Sequence, residues 1–360
     1  MSQYQVLDHV DGYLSLGIQY ECSDVHLATA SPPSWRRFGN LSPIWPDHLP
    51  LAAEDAERLV RGFLTAAQLE TLEKNGDVDF AYQNAEGRFR VSVVRQRLGY
   101  NMVFRIIKDE IKTLAELGLP AASIEPLMKY QNGLVLVTGP VGCGKSTTLA
   151  SMVDYINKDR EDHILTLEDP IEFTIHPQGC HVNQREVITH TESFSRALRG
   201  ALREDPDIIV VGEMRDLETI ELALTAAETG HLVLATLHTG NAPGTLDRIL
   251  DVFPVEQREQ IRIMVAESLR GIVSQQLIPK ADGTGRVAAV ELLVNTAAVA
   301  AQVRDGKTFM LPGIMQTGKS VGMITMDESL QNLAAAGVIS VDEAISRATD
   351  QRAMRATFGQ

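Results

Sequence analysis

Leu134-Val135-Leu136-Val137-Thr138-Gly139-Pro140-Val141-Gly142-Cys143-Gly144-Lys145-Ser146-Thr147 is the stretch whose reading decides the fold of this 360-residue chain. Leu134 to Val137 is apolar and β-favouring, as expected for a strand covered on both faces. Gly139 to Ser146 then satisfies the complete phosphate-loop pattern, and a helix is expected after Ser146. The glycines let backbone amides turn toward phosphate oxygens, and Lys145 supplies a mobile positive charge. Ser146 can coordinate magnesium, while the following helix adds oriented N–H groups. Thr147 can line the same entrance. Pro140 and Val141 complete the loop, and Cys143 needs only to be small. The pattern points to ATP and Mg2+ as ligands.

Further apolar strands are expected at His163 to Leu167, Asp207 to Val211 and His231 to Leu237, alternating with helical or loop-rich sequence. This is the pattern of an α/β nucleotide-binding sheet, in which ligands gather beyond the strand C-termini. Each strand is followed there by polar chemistry: the glycine loop, Glu168-Asp169, Glu213 and His238. An ATPase needs a group that positions water and groups that manage charge during phosphoryl transfer. Glu168 is a catalytic candidate, with Asp169 the weaker choice; caps or surface ion pairs are the structural alternative. Glu213 is suited to hold magnesium or its coordinating water, with a structural cap as its alternative. Sequence alone does not divide water activation from metal support between the two glutamates. His238 could hydrogen-bond an acid or sense phosphate, or be a polar strand end, and its separation from His231 argues against a same-face metal pair.

Before the loop, Phe89, Val91 and Val93 alternate with Arg88, Arg90 and Ser92, and Met102 to Ile107 supplies the second arm of a hairpin turned near Gly99. A short strand is expected at Val25-His26-Leu27, and helices at Ala52 to Leu64 and Ala67 to Leu72. Turns or irregular loops are expected at Ser31-Pro32-Pro33 and Ser42-Pro43. Arg88, Arg90, Arg95, Arg97 and Arg105 form a positive cluster that could solvate a strand face, bind acids in trans or deliver a guanidinium to a transferring phosphate. Thr113 to Leu117 and Val255 to Ile272 read as helical, Val287 to Val294 as a strand, and Met326 to Ala334 and Val341 to Ala348 as helices separated at Gly337. Two domains are expected: residues 1–108 and 114–360, joined by a linker at 109–113.

The 33 basic and 47 acidic residues give a net charge of −14, which disfavours a nucleic-acid partner. No apolar run approaches membrane-spanning length, and Met1 to Asp8 lacks a secretory pattern, so the cytoplasm is the expected compartment. Cys22, Cys143 and Cys180 are far apart and fit reduced thiols rather than a zinc or disulfide framework.

Leu167 to Glu172 (LEDPIE), Asn183 to Glu186 (NQRE), Arg203 to Asp216 (REDPDIIVVGEMRD) and Ala227 to Thr239 (AETGHLVLATLHT) accompany the phosphate loop in order. Together they make the chain resemble the PilT family of type IV pilus retraction ATPases, within the secretion and pilus ATPase superfamily. Ser23 to Leu27 and Gly322 to Asp327 extend the likeness toward both ends. The resemblance implies an α/β chain: an N-terminal PAS-like mixed domain, then a RecA-like P-loop ATPase domain carrying helical C-terminal elements. It implies a homo-hexameric, ATP-driven motor at the inner membrane, acting through a pilus platform protein to depolymerise pilin. On it, Lys145 and Ser146 take the phosphate and magnesium roles, Glu168 is the acidic-box catalytic glutamate and Glu213 the Walker B glutamate. His231 and His238 fall in the histidine-box region, and Arg90 and Arg105 become candidates for trans-acting arginines.

One departure stands out. The family's AIRNLIRE element corresponds here to Ala298-Val299-Ala300-Ala301-Gln302-Val303-Arg304-Asp305, in which arginine and asparagine positions have become alanine. Lost charge and hydrogen bonding there raise the alternatives of an accessory motor of the PilU type, beside a second pilus motor ATPase, or an ATP-binding regulatory ring member. A pilus-extension or type II secretion ATPase is a further alternative, and a DNA translocase a more distant one.

Overall fold

The computed structural model of the chain describes residues 6–37, 39–47, 49–107 and 110–359. The chain divides into two compact units, Met1–Asp109 and Glu110–Gln360. Lys108 and Asp109, the end of the expected first domain and the start of the expected linker, lie outside the described residues, as do Met1 to Gln5 of the opening segment.

The first unit contains an antiparallel sheet of β1 (Asp24–Ala28), β2 (Ser34–Arg37), β3 (Asn40–Pro43), β4 (Asp77–Gln83), β5 (Arg88–Gln96) and β6 (Gly99–Ile107), in the order β3-β2-β1-β6-β5-β4. The expected hairpin is β5–β6, with Phe89, Val91 and Val93 buried on one face. Helices Val10–Gln19 and Ala53–Phe63 add Tyr13, Leu14, Leu59 and Val60 to that core. Ala66–Asn75 starts in a reciprocal Thr65–Gln68 capping box and ends at Gly76 in the left-handed conformation. Ser31-Pro32-Pro33 is irregular backbone ahead of β2, as expected, whereas Ser42-Pro43, read as a turn or irregular loop, instead lies in strand β3, where antiparallel pairing with β2 overrides local turn signals. Pro43 ends β3, the outermost strand, where a missing donor is tolerated.

The second unit is built on β7 (Gly133–Thr138), β8 (His163–Glu168), β9 (His181–Glu186), β10 (Ile208–Val211), β11 (Leu232–Leu237), β12 (Leu269–Pro279) and β13 (Arg286–Val294). Their order is β13-β12-β7-β11-β10-β8-β9; all pairings are parallel except β12–β13. Alternate residues of β7 enter different cores: Leu134 and Leu136 join one face, Val135 and Val137 the other. Helix Lys145–Asp159 covers the second face through Leu149, Met152, Val153 and Ile156. The first is covered through residues of Phe194–Ala201, Leu217–Glu228, Ala242–Asp251 and Arg258–Ser268. Burying each Leu, Val or Ile side chain contributes about 1.5–3 kcal/mol, so the continuous apolar runs commit these strands to the interior.

Two helical expectations are corrected. Thr113 to Leu117 forms no helix; Leu114 to Gly118 is turn, although Thr113 and Glu116 exchange the hydrogen bonds of a capping box. The helix expected to reach Ile272 stops at Ser268, and Leu269–Ile272 begins β12. Pairing with β7 and β13 decides that stretch, since short apolar runs fit either periodicity. The C-terminal helices Met326–Ala335 and Val341–Arg347 are present, and their core packs Met326, Leu330 and Ile345 against Ile278 and Ala289.

Candidate active site

Parallel pairing places Thr138 beside Leu237, Ala235 beside Val211, and Val211 beside Leu167. The segments leaving β7, β11, β10 and β8 therefore emerge along one edge of the sheet, as the rule for open α/β sheets requires. Gly139 to Gly144 leaves β7 and runs into helix Lys145–Asp159, whose N-cap, Gly144, is left-handed (φ +90) and makes no side-chain cap. The first amides of that 15-residue helix thus lack a side-chain acceptor at the cap, the arrangement that receives an anion. Pro140, Val141 and Gly142 are exposed, whereas Cys143 and Lys145 are buried. Burial pushes the Cys143 thiol up, against the pull of Lys145, so it is packing rather than a reactive thiolate.

Lys145 Nζ donates to Gly139 O at 2.9 Å and Pro140 O at 3.2 Å, and lies 3.2 Å from His238 Nδ1. His238 Nε2 is 2.9 Å from Glu213 Oε1. An ammonium has no acceptor, so Nδ1 must accept from Lys145 and Nε2–H must donate to Glu213. Arg215 completes the line with a two-pronged contact, Nε to Glu213 Oε1 at 2.6 Å and a terminal guanidinium nitrogen to Oε2 at 2.7 Å. Desolvation alone would raise the Glu213 pKa, but Arg215 and His238 outweigh it and the net shift is downward. The backbone around Glu213 is tied to both neighbouring strands: Gly212 N to Leu167 O at 2.7 Å, Met214 N to Thr236 O at 3.1 Å.

Glu168 occupies a different environment. Its carboxylate accepts from Thr166 Oγ1 at 2.7 Å and Gln184 Nε2 at 3.0 Å, and Gln184 also donates to Phe173 O. Desolvation raises the Glu168 pKa despite those hydrogen bonds. The two glutamates are therefore pushed in opposite directions, the condition under which paired carboxylates acquire different roles.

The residues fit ATP and magnesium. A Cβ at Gly139 would sit 2.3 Å from Gln275 O, so only glycine permits this close approach, while Gly142 opens onto free space. The half-exposed Ser146 and Thr147 side chains make no hydrogen bond among the described residues. Lys145, Glu213 and His238 are thus brought together with the phosphate loop. Glu168 ends β8 with its own hydrogen-bond set. His231 takes no part; its Nδ1 lies 3.0 Å from Ala226 O. Arg90 and Arg105 belong to the first unit, opposite one another on β5 and β6; Arg90 is exposed, and Arg105 Nε donates to Asp24 Oδ1 at 3.1 Å. Arg215, Gln184 and Gln275 were not singled out by sequence reasoning. The first two lie within the quoted GEMRD and NQRE segments; Gln275 lies in none.

Residues 5–353 match the Type II/IV secretion system protein family. The chain belongs to that family, and within it to the PilT group. The type IV pilus retractation ATPase PilT of Pseudomonas aeruginosa is 46% identical over 336 residues, 93% of this chain and 96% of that protein. The type IV pilus ATPase PilU of the same organism is 39% identical over 343 residues, covering 95% and 89% respectively. A crystal structure of the pilus retraction motor PilT with bound ADP matches at a TM-score of 0.86 and 44% identity, covering 94% of this chain and 98% of that one. Among the described residues of this PilT-group protein, no helix is long and apolar enough to cross a membrane.

Proposed function

We propose that this PilT-group protein is a magnesium-dependent ATPase that works as a homo-hexameric motor powering type IV pilus retraction. The observation that carries the reading is the unbroken line Lys145–His238–Glu213–Arg215 beside an uncapped phosphate loop. The likeness to a pilus retraction motor with bound ADP supports it. In this reading the first unit is PAS-like and the second RecA-like. The motor acts from the cytoplasmic side of the inner membrane through a pilus platform protein.

Lys145 and the loop amides hold the phosphates, and the Ser146 hydroxyl with Glu213 would hold magnesium. When bound, the metal screens phosphate charge and polarises the phosphoryl group. Glu213, kept anionic by Arg215 and His238, suits metal support. Glu168, desolvated and harder to ionise, suits a proton-accepting role toward water. Arg90 and Arg105 supply positive charge from a neighbouring subunit.

A second reading is an accessory motor of the PilU type or a regulatory ring member working beside another pilus ATPase. Helix Ala297–Arg304 favours it, because Val299 and Val303 are buried while Ala300 and Ala301, the altered arginine and asparagine positions, are half-buried and reach the surface without a charge or an amide.

The test has two parts. Purified protein is assayed for magnesium-dependent ATP turnover alone and beside a second pilus motor, together with Glu168→Gln and Glu213→Gln. In cells, a deletion is rescued separately by wild type and Glu213→Gln, with pilus abundance, retraction and protein level followed together. Expected are independent turnover, its loss in both variants with nucleotide binding retained, and persistent unretracted pili when Glu213→Gln is the only copy. Full turnover in both variants overturns the acid roles. Turnover that exists only beside another motor establishes the second reading.

A further inference from the structure

Gln275 lies in β12, is 2% exposed, and uses both ends of its side-chain amide on the phosphate loop and its helix. Nε2 donates to Cys143 O at 2.7 Å, and Oε1 accepts from Thr148 Oγ1 at 2.8 Å. One residue earlier, Ser274 pairs with Thr138, and their hydroxyls are 2.9 Å apart. The backbone of Gln275 also faces Gly139, where a Cβ would stand 2.3 Å from its carbonyl oxygen. This one residue therefore meets the loop at its first glycine, at its middle and at the first turn of the helix behind it.

The contact with Cys143 has a directional consequence. In a planar trans peptide the carbonyl of one residue and the N–H of the next point to opposite sides. Holding Cys143 O toward β12 turns the Gly144 N–H away from β12. The Gly144 left-handed conformation (φ +90) leaves that peptide without the usual steric restraint of a side chain, so an external hydrogen bond is what sets its orientation. Thr148, three residues beyond Lys145, is pinned through the other end of the same amide, which sets the helix N-terminus relative to the loop.

We infer that Gln275 is a positioning residue for nucleotide binding: its amide orients the Cys143–Gly144 peptide and docks the first turn of the Lys145–Asp159 helix, holding the loop in the shape that receives a triphosphate. The inference rests on the ATPase reading of the site. The side-chain amide of Gln275 is spent on Cys143 O and Thr148 Oγ1, so it acts through the loop amides.

Gln275→Glu keeps the shape and removes the donor facing Cys143 O. Thr148→Val keeps the shape and removes the donor facing Oε1, while Thr148→Ser keeps the hydroxyl. Steady-state ATP hydrolysis is measured for each with magnesium, alongside ATP and adenosine binding, thermal midpoint and oligomeric state. For Gln275→Glu the expected result is a rise in KM for ATP of about tenfold or more, with a smaller fall in kcat. Thr148→Val shifts KM in the same direction, and Thr148→Ser recovers it. Adenosine affinity stays unchanged, because the phosphate contacts alone are disturbed; a general loss of structure lowers both affinities together.

A folded Gln275→Glu protein with wild-type KM and kcat overturns the inference. If that variant does not fold, Thr148→Val decides alone, and an unchanged KM there overturns it equally. Lys145→Ala is the control for the reading beneath it. Full turnover in Lys145→Ala removes the phosphate-loop reading and this inference with it. An inactive Lys145→Ala beside normal Gln275 and Thr148 variants removes only the positioning role.

Discussion

His238 Nε2 meets Glu213 Oε1 at 2.9 Å, joining the ends of two adjacent parallel strands, β11 and β10. The same imidazole reaches Lys145 through Nδ1. A neutral ring with one accepting and one donating nitrogen links the ammonium to the carboxylate without direct contact between them. Replacing His238 with alanine leaves Lys145 bonded to the loop carbonyls and Glu213 bonded to Arg215, but severs the link between them. The expected outcome is a fall in kcat of about tenfold or more with a smaller change in KM for ATP, read by steady-state kinetics.

Arg215→Ala tests what holds Glu213 ionised. Arg215 and His238 together keep the Glu213 carboxyl below its ordinary value, so deleting Arg215 raises it. Glu213 then takes up its proton at a higher pH. The acid limb of the kcat profile moves upward in pH relative to wild type, while Arg215→Lys, which keeps a charge without the fork, gives an intermediate shift. Superimposable profiles would show that Arg215 does not govern this titration.

Glu168→Gln addresses the opposite shift. Desolvation raises the folded-state pKa of Glu168, so the folded protein holds this proton more tightly than the unfolded chain. Its contribution to stability is fully present below the unfolded pKa and is lost as pH rises through the folded pKa. Relative to Glu168→Gln, wild type therefore loses stability across that window and the difference levels off above it. Urea unfolding at a series of pH values measures the difference directly; a gap that widens toward acid with wild type the less stable contradicts the raised pKa.

Gly139→Ala places a Cβ 2.3 Å from Gln275 O and 2.6 Å from Cys143 Sγ, at a backbone φ of +145. The backbone strain alone costs about 1–3 kcal/mol, and the loop must also move off β12. A lower thermal midpoint and loss of ATP binding are expected together; a variant of normal stability and affinity would show that this approach is not required.

Ile209→Ala probes the core beneath the site. Ile209 is fully buried in β10 between β8 and β11, and its truncation is expected to cost about 2–5 kcal/mol, seen as a lower urea midpoint. ATP turnover measured well below that midpoint persists, because the residue touches none of the site groups. Turnover lost at unchanged stability would place Ile209 in the chemistry instead.

Much of the second unit was legible locally. Parallel strands buried on both faces read as unbroken apolar runs, which is why β7, β8, β10 and β11 lie within a residue of their expected starts. Two of the misreadings share a cause. His181-Val182-Asn183-Gln184-Arg185-Glu186 is polar yet forms β9, because it pairs at the sheet edge and one flank stays open. Leu269 to Ile272 continues a helical periodicity but is claimed by β7 and β13. In each case hydrogen bonding to a distant strand outweighs the local pattern.

The amino-acid sequence by itself determined the phosphate loop, the strand before it and the helix after it, because those residues are contiguous and backbone preference acts over a few residues. It also marked Glu168, Glu213 and His238, each at a strand end. The tertiary structure alone decided that His238 bridges Lys145 and Glu213, that Gln184 holds Glu168, and that Gln275 grips Cys143 and Thr148 across more than a hundred residues. Those contacts depend on the order β12-β7-β11-β10-β8-β9, which is set by packing whole strands and helices together. Hydrogen bonds between such distant residues leave no periodicity in the chain from which they could be read.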